Sequence, residues 1–271
     1  MFNREFIAKY WYASSYEQFE TQTNDVDFFL KVIRERTDGT PQNILEAACG
    51  GGRISVPLAQ ANHNVTGFDA DEFRLLHFYR KAKNIPNITC YQADAVKSDW
   101  GSDFDIVVMA GNVLVNIESE MDYMEAQQIF IRKAAAALRS GGHLLLDYDQ
   151  HSDESAIKFF NRLGESGRLG GDSVYFDDLG TSGKFKGYGN VYDPVTRIVT
   201  WASHLEILQN NGKNIIKSTK GYKHIPTLKQ VYEWLDSAGL TVEKTYRNYT
   251  DEPLSNNESD YVKATIWARK V

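Results

Sequence analysis

The sequence predicts a doubly wound α/β domain with a largely parallel sheet, interrupted by an antiparallel β insertion. Three observations carry this. From residue 43 to residue 149, short apolar runs alternate with helix-length segments. That alternation is the grammar of a parallel sheet covered by helices on both faces. A glycine-rich turn, Gly50-Gly51-Gly52, closes the first apolar run and opens a helix. Between His151 and Pro226 the alternation stops, and glycine and aromatic residues take over.

Residues 1–40 read as two helices. Tyr12, Tyr16 and Phe19 recur at helical spacing, and Val26, Phe29, Leu30 and Ile33 repeat the pattern. The cluster Tyr10, Trp11, Tyr12 and Tyr16 is denser than packing requires, so residues 1–40 are expected to form a helical lid. The parallel strands follow as NILEAA, NVTGFD, NITCYQAD, FDIVVMA and, after Gly141-Gly142, HLLLDYD. Helices are expected through Leu58, from Arg74 to Lys81 and from Met121 to Leu138. Right-handed crossovers bring every loop after a strand to one sheet edge, where ligands of such sheets bind.

In the insertion, GRLGG, LGTSG and GYGN read as turns. RIVTWASHLEILQ and NIIKSTKGYK, joined through Asn210-Asn211-Gly212, read as a β-hairpin. A helix from Leu228 to Ala238 stops at Gly239, and LTVEKTY and DYVKATIWA close the main sheet. The expected division is therefore 1–40 as lid, 41–150 with 226–271 as the ligand-binding domain, and 151–225 as an antiparallel substrate-binding insertion.

The chain has 271 residues and a formal net charge of −6. Nucleic-acid binding leans on Lys and Arg neutralising phosphates, so a small-molecule substrate is expected and no nucleic acid. No apolar run approaches the ~20 residues of a membrane span, and the charged N-terminus has no apolar signal core. Two cysteines, Cys49 and Cys90, make no disulfide framework. A cytoplasmic protein without a membrane partner is the expectation. The N-terminal helices offer a pairing surface, which leaves a homo-oligomer open.

The ligand motif begins at Ile44-Leu45-Glu46-Ala47-Ala48-Cys49-Gly50-Gly51-Gly52-Arg53. Glycines there let a ligand approach the backbone without a Cβ in the way. Asp69 ends the second strand about twenty residues on, where a carboxylate accepts both hydroxyls of a ribose. Asp94 and Ala95 end the third, where adenine would lie. Asp69-Ala70-Asp71 also suits a helix cap, but three acids at three successive strand ends favour a nucleoside. The third glycine of the dinucleotide fingerprint is missing, and Glu46 would repel a pyrophosphate. An acid at that position suits a sulfonium or ammonium ligand, pointing to S-adenosylmethionine over NAD.

With these residues the chain resembles the class I S-adenosylmethionine-dependent methyltransferases. ILEAACGGG, VTGFD, QAD and FDIVVMAGNVL stand in family order between residues 43 and 149. The resemblance implies a Rossmann-like, seven-stranded, mostly parallel sheet whose last strand runs antiparallel. It also implies that Glu46, Ala48, Gly50 and Gly52 surround the methionine part of the cofactor. Asp69 and Ala70 would hold the ribose, Asp94 and Ala95 would flank adenine, and Ala110 and Asn112 would lie near the sulfonium. Tyr16 is expected at the crevice from the lid. A second resemblance, to the glycine N-methyltransferase group, rests on the insertion after LLLDYDQHSD, on Gly111-Asn112 and on Gly221-Tyr222-Lys223-His224. Asp149 stands where that group presents an arginine to the substrate carboxylate, which argues against glycine and for an amine.

Methyl transfer from a sulfonium is an in-line displacement, so alignment and water exclusion dominate. Where a base helps, histidine is the usual one. His224, Tyr222 and Asp149 are the expected acceptor-side residues. His151 is expected as a surface loop residue, His204 on a strand facing water or core, and His143 at the wrong end of its strand. His63 and His77 are expected on the helical or loop surface, and no ligands cluster for a metal. The predicted function is methylation of a small amine. The alternatives are a metal-free small-molecule O-methyltransferase, a nicotinamide-dependent oxidoreductase, and a non-catalytic protein that keeps the fold.

Overall fold

A computed structural model describes residues 3–117, 119–166, 173–254 and 261–271. In chain order the chain forms α1 (Arg4–Phe19), α2 (Asn24–Arg36), β1 (Asn43–Ala47), α3 (Ser55–Gln60) and β2 (Asn64–Asp69). Next come α4 (Glu72–Ala82), β3 (Ile88–Gln92), β4 (Phe104–Met109), α5 (Tyr123–Ala137) and β5 (Leu138–Gln150). They are followed by α6 (Asp153–Ser166), β6 (Tyr175–Phe176), β7 (Ser182–Asp193), β8 (Ile198–Leu208) and β9 (Asn214–His224). The last elements are α7 (Leu228–Ser237), β10 (Leu240–Arg247) and β11 (Val262–Lys270).

These elements make two compact units, one of residues 22–151 with 226–271 and one of residues 1–21 with 152–225. The first holds a seven-stranded sheet in the order β10-β11-β5-β4-β1-β2-β3. β1, β2, β3, β4 and β5 pair in parallel, while β11 runs antiparallel between β5 and β10. This is the seven-stranded, mostly parallel fold that the sequence predicted. Ile44, Leu45, Val107 and Val108 are fully buried, as central parallel strands covered on both faces must be. α2 lays Val26, Phe29 and Ile33 into the same core. α7 starts at Thr227, whose side chain and Gln230 form a reciprocal capping box, and its end is followed by Gly239 at φ +76°.

The second unit is built on the antiparallel sheet β6-β7-β8-β9. The β8–β9 hairpin turns at Gly212, φ +78°, as the Asn-Asn-Gly signal predicted. GYGN, expected as a turn, instead lies within β7, where the ladder to β8 shifts register between Tyr188 and Val191. Bulges tolerate glycine inside a strand, and glycine alone does not end one. GRLGG falls outside the described residues. α6 was not expected at all. The segment 1–40 also divides, α1 belonging to this second unit and α2 to the first. The buried residues of α1 are Ile7, Ala8, Tyr10, Trp11, Ala13, Ser14 and Ser15, while Tyr12, Tyr16 and Phe19 are half-buried. Trp11 wins because it has a seat. A Cβ on Gly183 would stand 2.8 Å from its ring, and its Nε1 donates to the Tyr175 carbonyl at 3.0 Å.

Candidate cofactor site

At the carboxyl end of β1 the chain makes a left-handed run, with Ala48 at φ 56°, Gly50 at φ 54° and Gly52 at φ 78°. The two glycines serve different ends. A Cβ on Gly52 would meet the Phe78 ring at 2.8 Å, so Gly52 is fixed by packing as well as by φ. A Cβ on Gly50 would meet only the end of the Arg74 side chain, at 3.8 Å.

Asp69, at the end of β2 and 8% exposed, ties this loop down. Its Oδ2 accepts the Gly50 N–H at 2.8 Å, and its Oδ1 accepts the Asp71 N–H at 2.8 Å. Burial raises the pKa of this carboxyl, and the two N–H groups and Arg74 oppose the rise. Each carboxylate oxygen has a second lone pair, so the group is able to accept two hydroxyls as well. Ala70 is exposed beside it, and its carbonyl accepts from Gln92 Nε2.

Glu46 is 4% exposed on β1. Burial pushes its carboxyl up to about 7, against the Ser55 hydroxyl that donates to it and the Arg53 charge nearby. Arg53 is held elsewhere. Its Nη1 and Nη2 donate to the two oxygens of Asp25 at 2.7 and 2.6 Å, and Nη1 also donates to the Gln22 carbonyl. Glu46 is thus a buried acid whose charge calls for a cation.

At the end of β3, Asp94 caps its own turn, accepting the Val96 and Lys97 N–H groups. The Ala95 carbonyl accepts from Trp100 Nε1. The turn is thereby rigid, with half-buried Asp94 and Ala95 at its head.

Beyond β4, Ala110 is buried and Asn112 takes φ 62°. Asn112 ties the ends of β4 and β5 together. Its N–H donates to Asp147 at 3.2 Å, its Nδ2 donates to Asp149 at 3.2 Å, and its Oδ1 accepts the Asp149 N–H at 2.9 Å. A Cβ on adjacent Gly111 would meet nothing within 4 Å, so this turn borders open space.

The sequence reading missed three partners here. Asp147 is 2% exposed, and burial raises its carboxyl to about 6 although the Tyr249 hydroxyl donates to it at 2.6 Å. Lys263 pairs with Asp149 at 2.6 Å, and Tyr261 donates to the same oxygen at 3.1 Å. Burial works against the Lys263 charge, but Asp149 outweighs it and holds the ammonium above its ordinary pKa. Asp149 therefore already has a cation. His151, expected on the surface, is 2% exposed with its ring 4.9 Å from that of Tyr261. A residue flanking β5 at the sheet's edge inherits cover from β11, which the sequence places over 100 positions away.

Tyr16, Tyr222 and His224 belong to the other unit. Tyr16 is half-buried on α1 with its ring 4.8 Å from that of Phe19. Tyr222 is exposed on β9, and His224, at the end of the same strand, is 3% exposed. His204 lies on β8 between Ser218 and Glu206. His143 lies in the first half of β5 and stacks on Trp267, at the opposite end of the sheet from the glycine-rich loop. His63, expected on the surface, is buried, with Nδ1 accepting the Gln42 N–H. His77 is half-buried on α4. Among the described residues no three His, Cys, Asp or Glu side chains are placed to hold a metal ion. No described helix is long and apolar enough to cross a membrane.

Comparison with known proteins bears on the fold that carries these residues. Residues 44–142 match a family model described as a methyltransferase domain. YqeM of Bacillus subtilis, named as a methyltransferase, is 30% identical over 118 residues, covering 43% of this chain and 45% of YqeM. The chain thus matches about half the length of that relative. A S-adenosylmethionine-dependent methyltransferase from Clostridium acetobutylicum is similar in fold, with a TM-score of 0.65 at 14% identity over 99% of both chains. So is the sugar N-methyltransferase KedS8 from a Streptoalloteichus species, with a TM-score of 0.67 at 16% identity over 94% of this chain and 90% of that one. The loop with its left-handed glycines, the tethered Asp69 and the buried Glu46 lie on the segment that matches. Residues 44–142 thus match a methyltransferase domain, and the chain shares its fold with S-adenosylmethionine-dependent methyltransferases.

Proposed function

We propose that this enzyme transfers a methyl group to the nitrogen of a small amine, with amino sugars the first class to try. The observation that supports methyl transfer is the buried acid Glu46 on β1, four residues before the glycine turn begins. Such an acid suits the ammonium end of S-adenosylmethionine and opposes a pyrophosphate. In this reading Glu46, Ala48, Gly50 and Gly52 hold the methionine part, Asp69 and Ala70 the ribose, and Asp94 and Ala95 the adenine. Ala110 and Asn112 border the sulfonium. The bound cofactor supplies an already activated methyl group. The chain's own residues then orient the acceptor and exclude water, which is where the rate gain lies. Asn112 is suited to that task because three hydrogen bonds fix it to β5.

The amine reading is supported by the sugar N-methyltransferase among the proteins of like fold. Tyr222 and His224 are the acceptor-side groups, His224 as the proton acceptor from an ammonium substrate. One observation favours a hydroxyl acceptor instead: Asp149, expected to face an amine, is paired with Lys263. The test is to incubate the enzyme with S-adenosylmethionine and matched amino- and hydroxy-sugars, and to follow S-adenosylhomocysteine release. Turnover of the amino sugars alone supports the proposal. Turnover of the hydroxy sugars alone replaces it with O-methylation.

A further inference from the structure

Arg53 directly follows the glycine turn, and a long cation beside a buried anion is its natural counter-ion. Its charge does bear on Glu46, yet both terminal nitrogens are turned onto Asp25. Asp25 is 6% exposed, and its Oδ1 also accepts the Val26 N–H at 2.8 Å. It stands in the first turn of α2, whose Val26, Phe29 and Ile33 are seated in the core. The carboxylate is thus a fixed post, and it takes the guanidinium by a two-point fork that a single charge does not match.

We propose that Asp25 is a positioning residue for cofactor binding: it holds the Arg53 guanidinium on itself, so that the buried Glu46 carboxylate, which accepts from Ser55, can also take the ammonium group of S-adenosylmethionine. The inference rests on the reading of Glu46 given above. It gives α2 a task beyond packing. Without Asp25, Arg53 turns to Glu46 and competes with the cofactor for the same anion.

The test is calorimetric titration with S-adenosylhomocysteine and with 5′-methylthioadenosine, which keeps the nucleoside and sulfur but lacks the amino-acid end. Asp25→Asn is expected to weaken S-adenosylhomocysteine by about tenfold and 5′-methylthioadenosine by less than about twofold. The double variant Asp25→Asn with Arg53→Gln is expected to recover to within about threefold of wild type. Equal loss for both ligands, no loss at all, or a double variant no better than Asp25→Asn overturns the proposal, because a plain structural tie is not rescued by a second deletion. If Asp25→Asn does not fold, Arg53→Lys carries the test: it keeps the charge but loses the fork, and the same selective loss is expected, with its absence overturning the idea. Glu46→Gln separates the two levels. If it leaves the preference for S-adenosylhomocysteine over 5′-methylthioadenosine unchanged, the reading of Glu46 fails, whatever Asp25 does.

Discussion

The two compact units solve different problems with different means. In the seven-stranded unit the polar groups at the strand ends are tied by the backbone: Asp69 by Gly50 and Asp71, Asp147 by Asn112, Asp94 by Val96 and Lys97. Its strand-end acids Glu46, Asp69 and Asp147 are all buried. In the four-stranded unit most of the edge strand β9 is exposed, and its residues of interest, Tyr222 and His224, stand on a hairpin rather than on a tethered loop. Backbone-tied groups bind an invariant ligand well. A hairpin face is open to change of side chains without change of fold, which suits an acceptor that differs from one enzyme to the next.

If that contrast is sound, changes in the first unit act on folding and cofactor, and changes in the second act on turnover. The largest effect is expected from Gly52→Ala, which forces a Cβ into the Phe78 ring at a left-handed position. A loss of about 2–4 kcal/mol in unfolding free energy is expected by denaturant titration. Next, Asp69→Ala should weaken S-adenosylhomocysteine by about thirtyfold while a folded protein remains, since two hydroxyl acceptors vanish. Unchanged affinity in calorimetry would remove the ribose assignment.

The pH dependence sharpens the comparison further. The folded, ligand-free protein holds Glu46 near 7, above its unfolded value of 4.5. The unfolded chain therefore binds fewer protons between those values, and the burial cost is fully present above pH 7. Lowering the pH from 7 toward 4.5 relieves it, by about 3 kcal/mol for a rise of that size. Glu46→Gln should flatten that part of the stability profile. Cofactor binding runs the other way, because an ammonium partner favours the ionised carboxylate. Affinity should fall as pH drops below about 7 and level off above it, with proton release detectable by calorimetry in buffers of different ionisation enthalpy.

The smallest effects are expected in the second unit. His224→Ala should lower kcat by about tenfold and leave S-adenosylhomocysteine affinity unchanged. A fully active variant would take His224 off the acceptor side, and a loss of cofactor affinity would break the contrast between the units.

Much of the first unit was legible because its punctuation is local. β1 to β4 are short runs of five or six residues, each reaching Gly or Asp at its end or within three residues of it, and the glycine-rich loop follows the first. Legibility ended where partners came from far along the chain. Lys263, Tyr261 and Tyr249 reach Asp149 and Asp147 from more than 100 residues away. One signal was there to be used: Asp147 and Asp149 are two apart on a strand and so share a face. In the second unit, glycine misled. GYGN looked like a turn but sits inside β7, and α6 begins in a stretch read as part of the antiparallel insertion.

The most direct test of the central claim is calorimetric titration of the purified protein with S-adenosylhomocysteine, run beside NAD⁺. Saturable binding of S-adenosylhomocysteine with none of NAD⁺ is the predicted result. Binding of NAD⁺ alone would contradict the assignment of the site.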